Sequence, residues 1–183
     1  MFTARTAILL QHKESYLPSL LHLLHNIHPN NSLTEEELAE FAGYYVLHLV
    51  CEMGNFNEAY IIRRQFRVLC GNGDAGASCT WGDVDAILRA LVRNDYWSWA
   101  KLRGKVGLEM RRLMEMGEER VLKRAVACLG KTYFEVERGW VEGVVGMEVG
   151  EVMGRVEGAG GWVVTGEAGM GKVAVRERPG RKK

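Results

Sequence analysis

The chain has 183 residues and a mass of 20.6 kDa, enough for one domain or two small ones sharing a core. Hydrophobic residues make up 47% and charged residues 26%, and the net charge is +1. This balance excludes capture of nucleic acid or an anionic membrane by overall charge. The longest strongly apolar run, residues 44–51, is too short to span a bilayer. We expect no signal peptide, and free thiols at the four cysteines, which form no C-x-x-C pair.

Charge and glycine content divide the chain into two compositional regions. Residues 1–100 contain 7 Lys and Arg against 11 Asp and Glu, whereas residues 101–183 contain 17 against 12. Glycine is concentrated in the second region, where 11 of the 22 glycines fall between Gly139 and Gly171. We predict a helical region over residues 1–133, a second subdomain over 134–178 and a basic tail over 179–183.

The first region has the apolar spacing of stacked helices. Pro18 suits the first turn of a helix that continues to about Ile27. Thr34 and Glu37 form a capping box, and the helix that they open is predicted to end near Met53.

Two helical hairpins follow, about forty residues apart. Their turns, residues 54–56 (GNF) and 94–96 (NDY), occupy matching points, although identity between the hairpins is low. Stacked helix pairs bury their faces in this way. Further helices are predicted over residues 56–69, 81–93, 97–110 and 118–133, with a loop over 71–78.

In the second region the spacing of apolar residues changes from that of long helices to that of short strands and short helices. Residues 134–137 alternate as a short strand does, and two short helices are broken at Gly146. Residues 162–165 and 172–176 indicate two strands around a glycine-rich turn. This order is that of a winged helix. We therefore predict a mostly α fold, in which stacked helical hairpins precede a C-terminal winged helix.

Glycines in the second region step by three and four. They are Gly139, Gly143, Gly146, Gly150, Gly154 and Gly158. Such spacing brings helices close in membranes, but the intervening glutamates exclude a bilayer here. We predict a small-residue face that permits close packing, at a cost of up to about 1 kcal/mol for each glycine within a helix.

One segment, residues 166–172, fits the G-x-x-x-x-G-K spacing of a phosphate-binding loop. Such a loop needs a hydroxyl residue after the lysine for Mg²⁺, and a helix whose N-terminus faces the anion. Val173 occupies the hydroxyl position, and the next residues alternate like a strand. We favour a flexible turn, the wing, over nucleotide binding, and we predict no cofactor.

Histidines and cysteines assemble no metal or catalytic motif in the sequence. His22, His25 and His28 are spaced by three, but His28 precedes a proline and no cysteine or carboxylate cluster completes a zinc site. His48 and Cys128 lie on apolar helices and are predicted to be core residues. No nucleophile is accompanied by a base and an orienting group, so we predict no catalytic residue.

A winged helix can bind DNA by placing its second helix in the major groove. Here that helix, roughly residues 148–157, carries Glu148, Glu151 and Glu157 against Arg155, and would repel phosphates. Because the wing and the tail are basic, loose binding of DNA through them remains an alternative. We favour protein contacts over sequence-specific DNA recognition.

Three segments carry a family resemblance. They are YVLHLVCEMGNFNEA at residues 45–59, AILRALVRNDYW at 86–97 and LKRAVACLGKTY at 122–133. The first two look like the turns of a helical repeat, and the third is similar to the helix that enters a winged part. Over about residues 40–179 the chain resembles PCI-domain proteins, in the branch found in the COP9 signalosome, the proteasome lid and initiation factor 3.

The resemblance implies a non-enzymatic scaffold subunit of the signalosome, present in the cytoplasm and nucleus. Its partners would be other PCI subunits in a hetero-oligomer, with no small-molecule substrate, specific nucleic acid, membrane or metal. PCI proteins join neighbours edge to edge through winged-helix strands. The alternatives are the initiation factor, the proteasome lid or a nucleic-acid-associated winged-helix protein.

Bare strand edges aggregate unless a partner covers them, which gives an independent physical reason for a scaffold role. We expect a charged residue at Trp162 or Val164 to weaken partner binding more than folding. The predicted interface residues are Phe134, Val136, Trp162, Val163, Val164, Val173, Ala174 and Val175.

Overall fold

The structure is a computed structural model that describes residues 2–27, 33–69, 75–156, 159, 161–165 and 171–175. It divides into two compact units. The first contains residues 1–89 and 102–118, and the second contains residues 90–101 and 119–183. The second unit therefore includes most of the helix that ends at Thr132, which the sequence-based boundary at residue 133 placed in the first region.

Helices come first in the chain and a small antiparallel sheet comes last. The helices before the sheet are α1 (Phe2–Leu9), α2 (Lys13–His22), α3 (Glu35–His48), α4 (Phe56–Leu69), α5 (Ala75–Arg93), α6 (Tyr96–Arg103), α7 (Leu108–Met116) and α8 (Glu118–Thr132). π-Helical segments continue α2 and α3 over Leu23–Ile27 and Leu49–Met53. The remaining elements are β1 (Glu135–Glu137), α9 (Arg138–Val145), α10 (Val149–Arg155), β2 (Val163–Thr165) and β3 (Lys172–Ala174). A mostly helical fold that ends in a small sheet is thus confirmed.

Local capping explains where α3 and α4 begin. The Thr34 hydroxyl accepts a hydrogen bond from the Glu37 backbone N–H at 3.3 Å, and the Glu37 carboxylate accepts one from the Thr34 N–H at 3.3 Å. Gly54 ends the extension of α3 with a φ of 70°, a left-handed conformation that glycine adopts without strain. Asn55 then accepts a bond from the Glu58 N–H at 3.2 Å. The predicted capping box is confirmed.

Two helix boundaries differ from the prediction. α5 begins at Ala75, so part of the loop expected over residues 71–78 is helical, while residues 71–74 lie outside the described residues. The single helix expected over residues 97–110 is divided into α6 and α7 by residues 104–107. That stretch contains two glycines, each of which costs about 1 kcal/mol relative to alanine within a helix. Their combined cost outweighs the apolar periodicity that indicated one helix.

α3 is the centre of the first unit. It packs against α2, α4 and α7, and α1 packs against α2 and α7. α3 is buried on nearly all sides, as its composition predicts. The Arg5 guanidinium donates hydrogen bonds of 2.8 and 2.6 Å to the Glu40 carboxylate, and the Tyr44 hydroxyl donates another at 2.7 Å. The two Arg5 bonds hold α1 on α3, and the Tyr44 bond within α3 fixes the Glu40 carboxylate.

A buried polar pair joins α2 to α3. The Tyr16 hydroxyl lies 2.9 Å from His48 Nδ1 and 3.4 Å from Met116 Sδ. His48 has no exposed surface, and its Nε2 has no hydrogen-bond partner among the described residues. Burial lowers the pKa of His48 from its usual 6.5, Lys13 lowers the pKa further, and Glu52 opposes both effects. His48 is the core histidine that the sequence predicts.

The sheet and three helices share the core of the second unit. The strands are antiparallel in the order β1-β3-β2. The core residues are Leu122, Val126, Leu129, Val141, Val145, Val149, Val152, Val156, Ala159, Trp162, Val173 and Val175. Strands of three residues bury little surface on their own, so the sheet depends on the apolar cover that α8, α9 and α10 provide.

Two predicted core positions are exposed. Cys128 lies next to Leu129 on α8, but its side chain is exposed, with Sγ 3.9 Å from the Tyr96 hydroxyl. Successive helical residues point about 100° apart, so Cys128 lies on the flank of the buried face. Leu69 lies three residues after Phe66, and this spacing predicts a place on the inner face of α4, but as the last helical residue it is 52% exposed.

Three of the spaced glycines do not bring helices together. A methyl group at Gly143, Gly150 or Gly154 would meet no atom within 4 Å, so the predicted close-packing role is wrong at these positions. Gly146 has a different role, since its φ is 74° and a methyl group there would lie 3.0 Å from Ala100 Cβ. It ends α9 in a left-handed conformation, where the sequence predicts a break. Gly158 lies outside the described residues.

We expect the free energy of unfolding to fall as the pH drops below 6.5. Unfolded His48 binds a proton with its ordinary pKa of 6.5, whereas the folded-state pKa is lower. The stabilisation is complete above pH 6.5 and is lost as the pH falls toward the folded-state pKa. The slope from this group approaches about 1.4 kcal/mol per pH unit. Urea denaturation across this range measures it.

The control for this prediction is His48→Gln, which retains a polar partner for Tyr16 but does not titrate. The variant is less stable, and the difference in stability between the two chains should shrink as the pH falls. A constant difference would show that His48 does not contribute to the pH dependence.

Gly143→Ala should raise the free energy of unfolding by about 0.5–1 kcal/mol, because α9 gains helix propensity and the methyl group enters open space. Gly146→Ala is the matched change. It should lower stability by at least about 1 kcal/mol, because alanine is strained in the left-handed region. Denaturation curves of the two variants should move in opposite directions, and a shift of both in one direction would contradict the assigned roles.

Candidate interaction surface

The predicted interface residues lie on or beside all three strands. The register forms three rows across β1, β3 and β2: Glu135, Ala174 and Val163; Val136, Val173 and Val164; Glu137, Lys172 and Thr165. Because side chains alternate along a strand, the middle row faces one side of the sheet and the outer rows face the other. Val173 is fully buried and Val136 packs on the core, so the middle row faces inward.

The strand order corrects the expected edge. β3 pairs with β1 on one side and with β2 on the other, so Val173 and Ala174 lie on no edge. Trp162 is 4% exposed, and its side chain belongs to the core. A charged residue at Trp162 would therefore disrupt folding, contrary to the expectation that it acts mainly on partner binding. The edges of the sheet are β1 and β2.

Backbone hydrogen bonds show which way each residue of β3 faces. The Val175 N–H donates to the Phe134 carbonyl at 2.8 Å, and the Arg138 N–H donates to the Gly171 carbonyl at 2.9 Å. Backbone groups of successive residues point to alternate edges of a strand. Residues 171, 173 and 175 therefore direct their N–H and C=O groups toward β1. Phe134, a predicted interface residue, is engaged in this ladder.

Lys172 and Ala174 consequently face β2. They lie opposite Thr165 and Val163, and the Thr165 hydroxyl donates to the Lys172 carbonyl at 3.2 Å. Val164, between these two ladder positions, directs its N–H and C=O away from β3. Within the described residues, no strand pairs with this side of β2. We call residues 163–165, centred on Val164, the open edge.

The two outer strands differ in charge. By the same alternation, β1 directs the backbone groups of Glu135 and Glu137 outward, and both residues are exposed. Charged side chains on an edge strand discourage pairing with another strand. The open edge has no charged residue, and Val163 is 57% and Val164 36% exposed. The uncharged edge of β2 is therefore better suited than the charged edge of β1 to the addition of a partner strand.

An exposed aromatic pair flanks β1. Tyr133 and Trp140 are 42% and 45% exposed, and their ring centroids lie 5.7 Å apart in an edge-to-face arrangement. Aromatic residues of this kind anchor many protein interfaces. Neither residue is among the predicted interface residues, although their positions on either side of the predicted strand at 134–137 are a sequence signal that the fold brings them together.

The segment with the spacing of a phosphate-binding loop, residues 166–172, leads into a strand. Lys172 begins β3, at the place where a phosphate-binding loop needs the N-terminus of a helix, and residues 166–170 lie outside the described residues.

The histidines of the possible zinc motif do not form a described site. His22 and His25 are exposed, and His28 is outside the described residues. Among the side chains that the structure describes, no three His, Cys, Asp or Glu residues gather as metal ligands.

α10, the helix that would enter a DNA groove, has no excess of basic residues. Its only basic residue, Arg155, pairs with Glu151 at 2.6 Å, and Glu148 precedes the helix. Glu142 accepts hydrogen bonds from Arg138 at 2.8 Å and from the α10 backbone at 3.3 Å, and both bonds lower its pKa. A phosphate near α10 would therefore meet net negative charge.

Comparisons with family models, curated proteins and solved structures give no match to this chain. No helix in the described part of the chain combines the length and apolar composition needed to cross a membrane. Function must therefore be inferred from the surfaces described above.

Val164→Pro should remove the outward N–H of the open edge and leave the ladder between β2 and β3 intact. Proline is tolerated on an edge strand where the N–H faces away from the sheet. We expect the free energy of unfolding to change by less than about 1 kcal/mol. Val163→Pro is the matched control, because it removes an N–H on the β3 side and should cost about 1–3 kcal/mol. A greater loss for Val164→Pro in denaturation would contradict the assigned backbone directions.

Proposed function

We propose that this chain is a non-catalytic scaffold subunit of the COP9 signalosome, built as a PCI domain. The signalosome removes the ubiquitin-like protein NEDD8 from cullins and so regulates cullin–RING ubiquitin ligases. Among its subunits the sequence most resembles subunit 8, through Gly161-Trp162 before the last hairpin and Arg176-Glu-Arg-Pro179 after it. The isopeptidase activity of the complex belongs to another subunit, so this chain contributes attachment.

The order of elements supports the PCI interpretation. Stacked helices lead into β1, α9, α10, β2 and β3, which is the order of a winged helix. α8 shares a core with these elements, as is expected of the helix that enters the winged part of a PCI domain. This support concerns architecture, and the proposed partners rest on the sequence resemblance.

The observation that carries the proposal is the open edge. Val164 directs one N–H and one C=O outward, and Val163 is exposed on the solvated face beside it. A neighbouring subunit could add a strand here, and its backbone would bond with Val164. In strand addition, main-chain hydrogen bonds provide affinity and the flanking side chains provide specificity. A strand added to β2 would extend the sheet from three strands to four.

A nucleic-acid role is less well supported by the same surfaces. Together with the preceding Glu148, α10 carries two glutamates against one arginine, and the open edge presents no cation to a phosphate. A scaffold role in initiation factor 3, as a subunit k-like protein, or in the proteasome lid would use the same edge with other partners. These complexes are distinguished by what the chain binds.

The test is affinity purification of the tagged chain from its own cells, with the co-purifying proteins identified by mass spectrometry. Three chains are compared: the natural sequence, Val164→Pro and Val164→Thr. Threonine retains the outward N–H and C=O, so Val164→Thr controls for the change of side chain. We expect signalosome subunits and cullins with the natural chain and with Val164→Thr, and at least about tenfold less with Val164→Pro.

Initiation-factor or proteasome-lid subunits in the eluate would retain the scaffold role and change the complex. Recovery of RNA, or of the chain alone, would overturn the scaffold proposal. Equal recovery with proline and threonine at position 164 would exclude the open edge as the point of attachment.

A further inference from the structure

α4 has a second apolar side that faces solvent. Its inner side is formed by Ala59 and Phe66, both buried. On the opposite side, Ile61 is 65% and Val68 76% exposed, and Tyr60 is 40% exposed beside them. Residues 61, 64 and 68 follow the i, i+3, i+7 spacing of one helical face. We call Tyr60, Ile61, Arg64, Arg67 and Val68 the α4 ridge.

The few basic residues among the first hundred are concentrated on two helices. Residues 1–100 contain 7 Lys and Arg against 11 Asp and Glu. Four of those seven basic residues lie on α4 and on the part of α5 that belongs to the first unit: Arg63, Arg64, Arg67 and Arg89. The concentration of arginine on two helices indicates a local positive surface.

One aspartate faces three of these arginines. Asp85 on α5 accepts two hydrogen bonds from the Arg63 guanidinium, one of them 2.5 Å long, and one from Arg67 at 3.0 Å. Arg89 donates to the backbone carbonyl of Asp85 at 3.2 Å. A single carboxylate cannot neutralise three guanidinium groups, so the cluster has excess positive charge.

Arg64 extends this charge onto the ridge. It is exposed between Ile61 and Val68, and the described residues offer it no ion pair. The only acidic residue of α4, Glu58, accepts a hydrogen bond from the Asn55 amide at 2.8 Å at the start of the helix. The ridge thus combines exposed aliphatic side chains with an arginine, Arg64, that forms no ion pair with another described residue.

We propose that the α4 ridge binds an acidic amphipathic helix of a partner protein. Carboxylates on that helix would pair with Arg64 and Arg67, and its apolar side chains would pack on Ile61 and Val68. A straight row of side chains at helical spacing fits the grooves of a second helix. The proposal uses residues of the first unit only and does not depend on the open edge.

The aliphatic centre of the ridge favours protein over nucleic acid. Single-stranded nucleic acids bind to grooves that combine cations with several aromatic stacking partners. The ridge has one aromatic residue, Tyr60, and its two most exposed hydrophobic side chains are the aliphatic groups of Ile61 and Val68. These two side chains would gain free energy from burial against an apolar partner surface.

The experiment begins with photo-crosslinking in the cells that make the protein. A photo-reactive amino acid replaces Gln65, which is exposed beside the ridge, in the full chain. The same amino acid at Glu36, exposed at the start of α3, is the control position. We expect an adduct specific to position 65, and its cross-linked peptide should be acidic with apolar residues at helical spacing. An adduct with RNA, with a second copy of this chain or with a basic segment would overturn the proposal, as would no adduct beyond the control.

The cross-linked segment is then synthesised and its affinity for the full chain is measured by fluorescence anisotropy. Arg64→Glu should weaken binding at least about tenfold, whereas Arg64→Lys should retain most of the affinity. Exchanging the glutamates of the peptide for lysines should reverse the preference, so that the Arg64→Glu chain binds it more tightly. Equal affinity of the Arg64→Glu and natural chains for the acidic peptide would show that charge pairing at the ridge does not drive binding. Unchanged melting temperatures would show that these exposed substitutions leave the fold intact.

Discussion

Burial of the central strand is the constraint on which the second unit depends. A hairpin of two three-residue strands is not stable alone, so β3 needs β1 on its other side and a core beneath it. Val173 provides that core contact at the middle of β3. Because inward-facing side chains and outward-facing backbone groups both alternate along a strand, placing Val173 inward also settles the ladder on each side. A register slip of one residue would turn the polar rows toward the core.

The open edge is therefore a consequence of packing as much as of exposure. The backbone N–H and C=O of Val164 point outward because Lys172 and Ala174 bond to the residues on either side of it in β2. Trp162, fixed in the core immediately before β2, holds that strand at its first residue. An edge supported in this way loses little conformational freedom when another strand binds, which favours affinity.

Sequence reasoning worked where a residue acts through its own backbone or its nearest neighbours. The capping box at Thr34, the left-handed glycines 54 and 146 and the buried His48 could all be predicted from local patterns. Features that depend on tertiary packing could not be predicted from local patterns. The exposure of Cys128 depends on which side of α8 meets the core, and the central position of β3 depends on pairing with β1 about forty residues earlier in the chain.

The glycine series shows the same limit from another direction. Spacing alone cannot distinguish a glycine that admits a neighbouring helix from one that faces open space, as Gly143 does. The α4 ridge was also within reach of the sequence, because two arginines and two aliphatic residues share one side of that helix. Apolar periodicity identifies only the buried face of α4, and by that measure the opposite face is indistinguishable from ordinary solvated surface.

The two proposed surfaces would respond differently to ionic strength. Strand addition at the open edge relies on short-range hydrogen bonds and apolar contact, which salt affects little. Attraction to the α4 ridge relies on exposed charge, which is screened beyond a Debye length of about 8 Å at physiological salt. A protein with both surfaces could hold one partner persistently and exchange another as conditions change.

Glycines that meet no neighbour give α9 and α10 little helical stability of their own. Local opening of these two helices should therefore require less free energy than unfolding of the whole chain. A partner strand that binds only the closed form would add stabilisation by mass action, about 2.7 kcal/mol at a ligand concentration one hundred times the Kd. Occupancy of β2 would then be visible as slower amide hydrogen exchange in α9 and α10, in residues that need not touch the partner.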